Sequence, residues 1–176
     1  INFIYYTVKP FDVVINEVMA DPDPVFNSLP NSEYVELYNR TPFAINLNNW
    51  KFSVGNNTKI LPDVTILPDS FIVFTSTTAA PNYPASCNVV GVSSFPALTN
   101  TGQTLTLATP QNQIISTISY TDVWYQDEVK KDGGWSLEQI YPNNPCAGIN
   151  NWQASTNNNG GTPGSKNSVF ALNPDN

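Results

Sequence analysis

The side chains best suited to chemistry in this sequence are carboxylates. Glu17, Glu33, Glu36, Asp21 and Asp23 all fall in one stretch, VVINEVMADPDPVFNSLPNSEYVELYN, residues 13–39. Two carboxyls flanking a sugar-sized cleft would serve a glycosidase, but a small sandwich normally offers only shallow surfaces. Calcium is the better chemical use of an acidic Asp-Pro loop, because it takes hard oxygen ligands, and Asp21, Asp23 and Glu33 are its candidates. Their spacing is not that of an EF-hand, and the alternative is a plain solvated loop. Glu17 and Glu36 sit inside alternating runs, where a carboxylate faces solvent or bonds to a neighbouring loop.

Other chemistries are removed by composition. The chain has no histidine, so Ser-His-Asp and Cys-His nucleophiles and imidazole metal sites are excluded. Two cysteines cannot build a structural zinc site, and Gly133-Gly134 and Gly160-Gly161 lack the Lys and helix of a phosphate-binding loop. A formal net charge of −7, with 7 cations scattered along the chain, leaves no basic stripe for nucleic acid. The expected cofactor set is therefore empty, with calcium as the one candidate.

Cys87 and Cys146 lie in loop-like settings, PNYPASCNVV and YPNNPCAGIN, and read as a disulfide formed in an oxidising compartment. It would close a loop of roughly 60 residues, worth on the order of 4 kcal/mol in the chain-entropy account. Two inert free thiols are the other reading. Tyr83, Trp124 and Tyr125 fall in long loops and form a candidate platform for a glycan or peptide, since rings stack on sugar faces and anchor interfaces. Loop aromatics folded over the ends of the domain are the alternative. Asn56-Asn57-Thr58 is a glycosylation sequon that matters only in a eukaryotic secretory pathway.

These residues must be positioned by strands. Val13–Met19 and Glu33–Asn39 alternate apolar and polar residues, as do Trp50 to Val54 and QTLTLAT at 103–109. Further strands are expected at 58–61, 64–67, 71–75, 89–95, 114–120 and 135–140, with Gly55 to Asn57 making a hairpin turn. Phe71 to Phe74 is nearly continuous apolar, as a strand covered on both faces would be. The stretch after Cys146 shows no periodicity beyond Trp152. Asn, Ser, Thr and 15 prolines favour strands and turns over helix. Short, regularly spaced strands without a helical period imply an all-β two-sheet sandwich with long loops.

Residues 1–11 are expected to end a preceding domain or form an edge strand, with Pro10 at the joint, and 170–176 to be linker. No apolar run is long enough to cross a bilayer, and INFIYYTV lacks a basic start and a cleavage site, so the chain reads as mature sequence.

VVINEVMADPDP, EYVELYN, INLNNWKF, ILPDSFIVF, the LTNTGQTLTL to IISTISY hairpin, WSLEQI, and NWQAS with NNNGGTPGSKNS together resemble, in order and spacing, the lamin tail domain in its bacterial, secreted form. The similarity runs from Asp12 to Ser168, and the module is expected over residues 12–169. It implies an immunoglobulin-like β-sandwich and a non-enzymatic accessory module of a large exported protein, outside the cell, on its surface or in the periplasm. It also implies unknown protein partners and contacts with neighbouring domains, with nucleic acid left out because the basic surface is missing. A carbohydrate-binding or targeting module beside a secreted hydrolase or nuclease is the second expectation. The family carries no catalytic residues to transfer, and Glu17, Glu36, Gly102 and Trp152 match it as structural positions.

Overall fold

The computed structural model describes residues 6–25 and 29–172. Alternation along the chain becomes twelve strands, β1 (Val13–Met19), β2 (Tyr34–Asn39), β3 (Ile45–Asn46), β4 (Lys51–Val54), β5 (Asn57–Ile60), β6 (Thr65–Ile66), β7 (Ser70–Ser76), β8 (Val89–Val92), β9 (Gly102–Ala108), β10 (Ile114–Thr121), β11 (Leu137–Gln139) and β12 (Trp152–Ala154). Six form one sheet in the order β12-β11-β1-β2-β7-β8, and four form another in the order β10-β9-β4-β5. A two-stranded ladder pairs β3 with β6. Every pairing is antiparallel except that of β7 with β8. Two facing sheets with this all-β content make an immunoglobulin-like sandwich.

The core lies between the sheets. Val13, Ile15, Val18, Val35, Leu37, Ile72, Phe74 and Leu137 come from the six-stranded sheet, and Phe52, Val54, Leu105, Leu107 and Ile118 from the four-stranded one. Because successive side chains alternate faces, β2 sends Val35 and Leu37 inward and leaves Tyr34, Glu36 and Tyr38 on the outer face. β7 is covered on both faces as expected: Ile72 and Phe74 join the core, while Val73 packs outside with Met19, Tyr34, Ala79 and Tyr83.

Departures from the sequence reading are local. Ahead of the expected strand at Trp50 to Val54 the chain adds the short β3, and Asn49 between them, with φ 62°, turns the chain where an Asn tolerates the left-handed conformation. Loop 121–134 contains short 3-10 turns at Asp122–Tyr125 and Lys130–Asp132. Trp152, in the stretch that shows no periodicity, begins an edge strand and is 1% exposed. Of the expected terminal segment at 1–11, residues 1–5 lie outside the described residues. Residues 6–9 carry no regular structure, and the Tyr6 ring stacks on Phe43 at 4.3 Å. In the expected linker, residues 173–176 likewise lie outside the described residues.

Cys87 and Cys146, expected to bridge, are both free thiols. Cys87 precedes β8 at one edge of the six-stranded sheet, and Cys146 lies between β11 and β12 at the other. Strands spaced by about 4.8 Å put roughly 19 Å of sheet between β8 and β11, whereas a disulfide needs Cα atoms within about 7 Å. The Cys87 thiol instead donates to the Pro163 carbonyl at 3.0 Å.

Candidate functional site

Three glutamates stand side by side across the middle of the six-stranded sheet. In the strand register Glu17 of β1 faces Glu36 of β2 on one side and Glu138 of β11 on the other. A β-bulge between Ile15 and Glu17 puts two consecutive side chains, Asn16 and Glu17, to work on the outer face. All three carboxylates are 0% exposed. What covers them is the last part of the chain, a strap at 155–170 that has no strand of its own and lies over the outer face.

The strap is held by the acids themselves. Glu17 Oε1 accepts from the Tyr34 hydroxyl at 2.5 Å, the Ser136 hydroxyl at 2.6 Å and the Thr162 amide at 2.8 Å. Glu36 accepts from Asn16 Nδ2 at 2.9 Å and from the Gly164 amide at 2.5 Å. Glu138 accepts from the Thr162 hydroxyl at 2.9 Å, the Ser168 hydroxyl at 2.7 Å and the Val169 amide at 3.1 Å. Asn167 Nδ2 then closes the strap onto the backbone carbonyls of Asn16 and Gln139, at 3.0 and 2.8 Å. Where a sheet would use ladder bonds, this segment uses carboxylates as acceptors for its backbone and hydroxyls.

Electrostatics favours the neutral forms of Glu17 and Glu36. Like charges directly opposite across strands repel, and burial removes the water that would screen them. Burial first, then the charge of Glu138, pushes Glu17 up to about 7. Burial first, then the charge of Glu17, holds Glu36 well above the usual carboxylate range. Among the described residues the ion pair is Lys131–Glu128, at the surface, so no cation neutralises the row. Glu17 Oε1 already serves three donors, which leaves Oε2 to carry the proton, 3.4 Å from the Thr162 hydroxyl. Thr162 has a single hydroxyl hydrogen and spends it on the nearer Glu138 oxygen at 2.9 Å. A chain from Glu17 through Thr162 to Glu138 results.

The structure distributes the other candidates. Asp21 accepts from Asn100 Nδ2 at 2.5 Å and Glu33 from the Leu98 amide at 3.2 Å, while the Asp23 amide turns back onto Asp21 at 3.3 Å. Among the described residues no three His, Cys, Asp or Glu side chains gather as metal ligands, so the calcium set is not assembled. The aromatic platform is not assembled either, because the rings pack against the sandwich. Tyr83 is 7% exposed and meets Tyr34 edge-on at 6.0 Å, Tyr125 is 3% exposed, and Trp124 leans on Trp152 at 6.0 Å.

Reading the sequence missed Glu138, Ser136, Thr162, Asn16 and Asn167. Glu138 carries the same signal as Glu17 and Glu36, an acid inside a short strand, in WSLEQI. The strap has no periodicity to mark it as a cover, and its bonds to Glu17 and Glu36 span 145 and 128 residues of sequence.

No curated protein matches the chain. The sequence model of the Lamin Tail Domain matches residues 9–122, more than half of its length, and ends before β11, β12 and the strap. With the sandwich, the acid-bearing strands β1 and β2 and this match in place, the chain belongs to the lamin tail domain family.

Proposed function

We propose that this domain is a non-catalytic contact module of an exported bacterial multidomain protein, working through protein partners or adhesion. The observation that carries the reading is the fate of its acids. Glu17, Glu36 and Glu138, the side chains a hydrolase would need at a cleft, are 0% exposed and are consumed in fastening the strap. Family membership supports a non-enzymatic sandwich module, and export is proposed on the resemblance to the secreted bacterial form.

Partner contact is assigned to the open edge of the four-stranded sheet. β5 is the terminal strand there, and its residues are mostly exposed, with Ile60 55% exposed. A short polar edge of this kind resists self-association yet offers main-chain bonds to an added strand. A photo-crosslinker placed at Ile60 in the parent protein should capture a partner, while one placed at Ser119, on β10, should not. Hydrolysis by the purified chain that Glu17→Gln or Glu36→Gln abolishes would contradict the proposal.

A further inference from the structure

Alongside the strap, on the outer face of the six-stranded sheet, lies a cavity of about 300 Å³ bordered by Tyr38, Phe71, Tyr141 and Phe170. All four rings are half-buried, so each keeps some face open. They are arranged in two pairs. Tyr38 stacks on Phe71 with centroids 4.8 Å apart and planes at 26°, and Tyr141 meets Phe170 edge-on at 6.2 Å and 69°. None of the three loop aromatics singled out in the sequence contributes to it.

Polar groups share the lining with the rings. Asp69 accepts a hydrogen bond from the Tyr38 hydroxyl, and Lys166 Nζ sits 3.5 Å from the centre of the Phe170 ring; both side chains remain exposed. Asn16 lines the same cavity and is 1% exposed. Its Nδ2 hydrogens go to Glu36 at 2.9 Å and to Asn167 at 2.8 Å, and its Oδ1 has no partner. A buried amide oxygen without a protein donor is unusual, so Asn16 adds an unmatched acceptor to the polar side of the lining. Gln139 Oε1 is orphaned too, but Gln139 does not line this cavity.

We propose that this cavity binds one ring of a neutral saccharide, its C–H face laid on the aromatic wall and its hydroxyls bonded to Asp69, Lys166 and the Asn16–Asn167 side. The chemistry selects this class over others. A wholly apolar ligand would leave the acid, the amine and the amides without partners. An anionic ligand would gain Lys166 but meet Asp69, and a cationic one would meet the reverse. A sugar ring has apolar faces for the rings and hydroxyls that donate and accept, so it satisfies both halves of the lining. The volume is at the lower end for ligand pockets, which suits a single ring or a short saccharide end. The site lies on the opposite sheet from β5, so its failure would leave the contact edge untouched.

The test is saturation-transfer NMR on the full chain with glucose, galactose, mannose, xylose and N-acetylglucosamine, each at tens of millimolar. Transfer to the ring C–H protons of at least one sugar is expected, with amide shifts centred on Lys166 and Asn167. Tyr141→Ala and Asp69→Ala should each weaken binding about ten-fold or more, as expected for a stacking ring and a hydroxyl partner. Asp69 is exposed, so its variant reads the site without threatening the core. No transfer from any of the five sugars overturns the proposal, as does transfer that survives both substitutions. Binding of phenylalaninamide or a proline-rich peptide with the sugars silent would overturn it in favour of a peptide pocket.

Discussion

Gly161 has no room for a side chain. A Cβ there would stand 2.7 Å from Glu17 Oε1 and 3.0 Å from the Ser136 hydroxyl, and would also collide with the Tyr34 hydroxyl. Gly161→Ala should therefore lift the strap and cost about 2 kcal/mol, measured by urea unfolding. Glu17 gives a sharper signature because its charge, not its shape, is the liability. Its folded value of about 7 lies above its unfolded value near 4.5, so the folded state binds the extra proton between them. Its contribution to stability is complete below pH 4.5 and is lost as pH rises towards and through 7, and the upward shift of Glu36 acts in the same direction. Gln at position 17 mimics the neutral acid, its oxygen taking the three donors and its amide facing the Thr162 hydroxyl. Glu17→Gln should flatten that fall in a pH series of unfolding curves. An unchanged slope would show the carboxylate to be solvated.

At the scale of elements, the strap is as much a part of the domain as the strands. Ending the chain after Ala154 removes the Thr162, Gly164, Ser168 and Val169 donors and leaves acceptor-rich acids facing water on a sheet built to be covered. That truncation should lower Tm by about 10 °C or more, seen by calorimetry, since a loss of several kcal/mol at this length moves the midpoint that far. Strands β2, β9 and β10 were legible in the sequence because apolar and polar residues alternate along them, and β1 because its seven residues are rich in β-branched side chains. β12 was not, because three residues between runs of Asn give no period to read. Glu17 and Glu36 could be seen as acids inside strands. Their burial could not, because it depends on a segment with neither alternation nor helical spacing. The cavity was hidden for a similar reason, as its rings come from β2, β7, the turn after β11 and the end of the strap.

For the whole molecule, the free thiols and the sealed acids lead to different measurements. Reductant should leave Tm unchanged, and a thiol reagent should label exposed Cys146 in the native protein faster than half-buried Cys87, whose thiol is engaged with Pro163. A fall in Tm on reduction would restore the bridge that the loop settings suggested. The acid row fastens a closed strap and does not line an open cleft. Residue-resolved amide hydrogen exchange tests it most directly, because the Thr162, Gly164 and Val169 amides donate to Glu17, Glu36 and Glu138 at 2.8, 2.5 and 3.1 Å. These three amides should exchange as slowly as those of β1 and β2, through global unfolding. Exchange at open-loop rates under native conditions would mean that the strap lifts freely and exposes the acids, and would contradict the account.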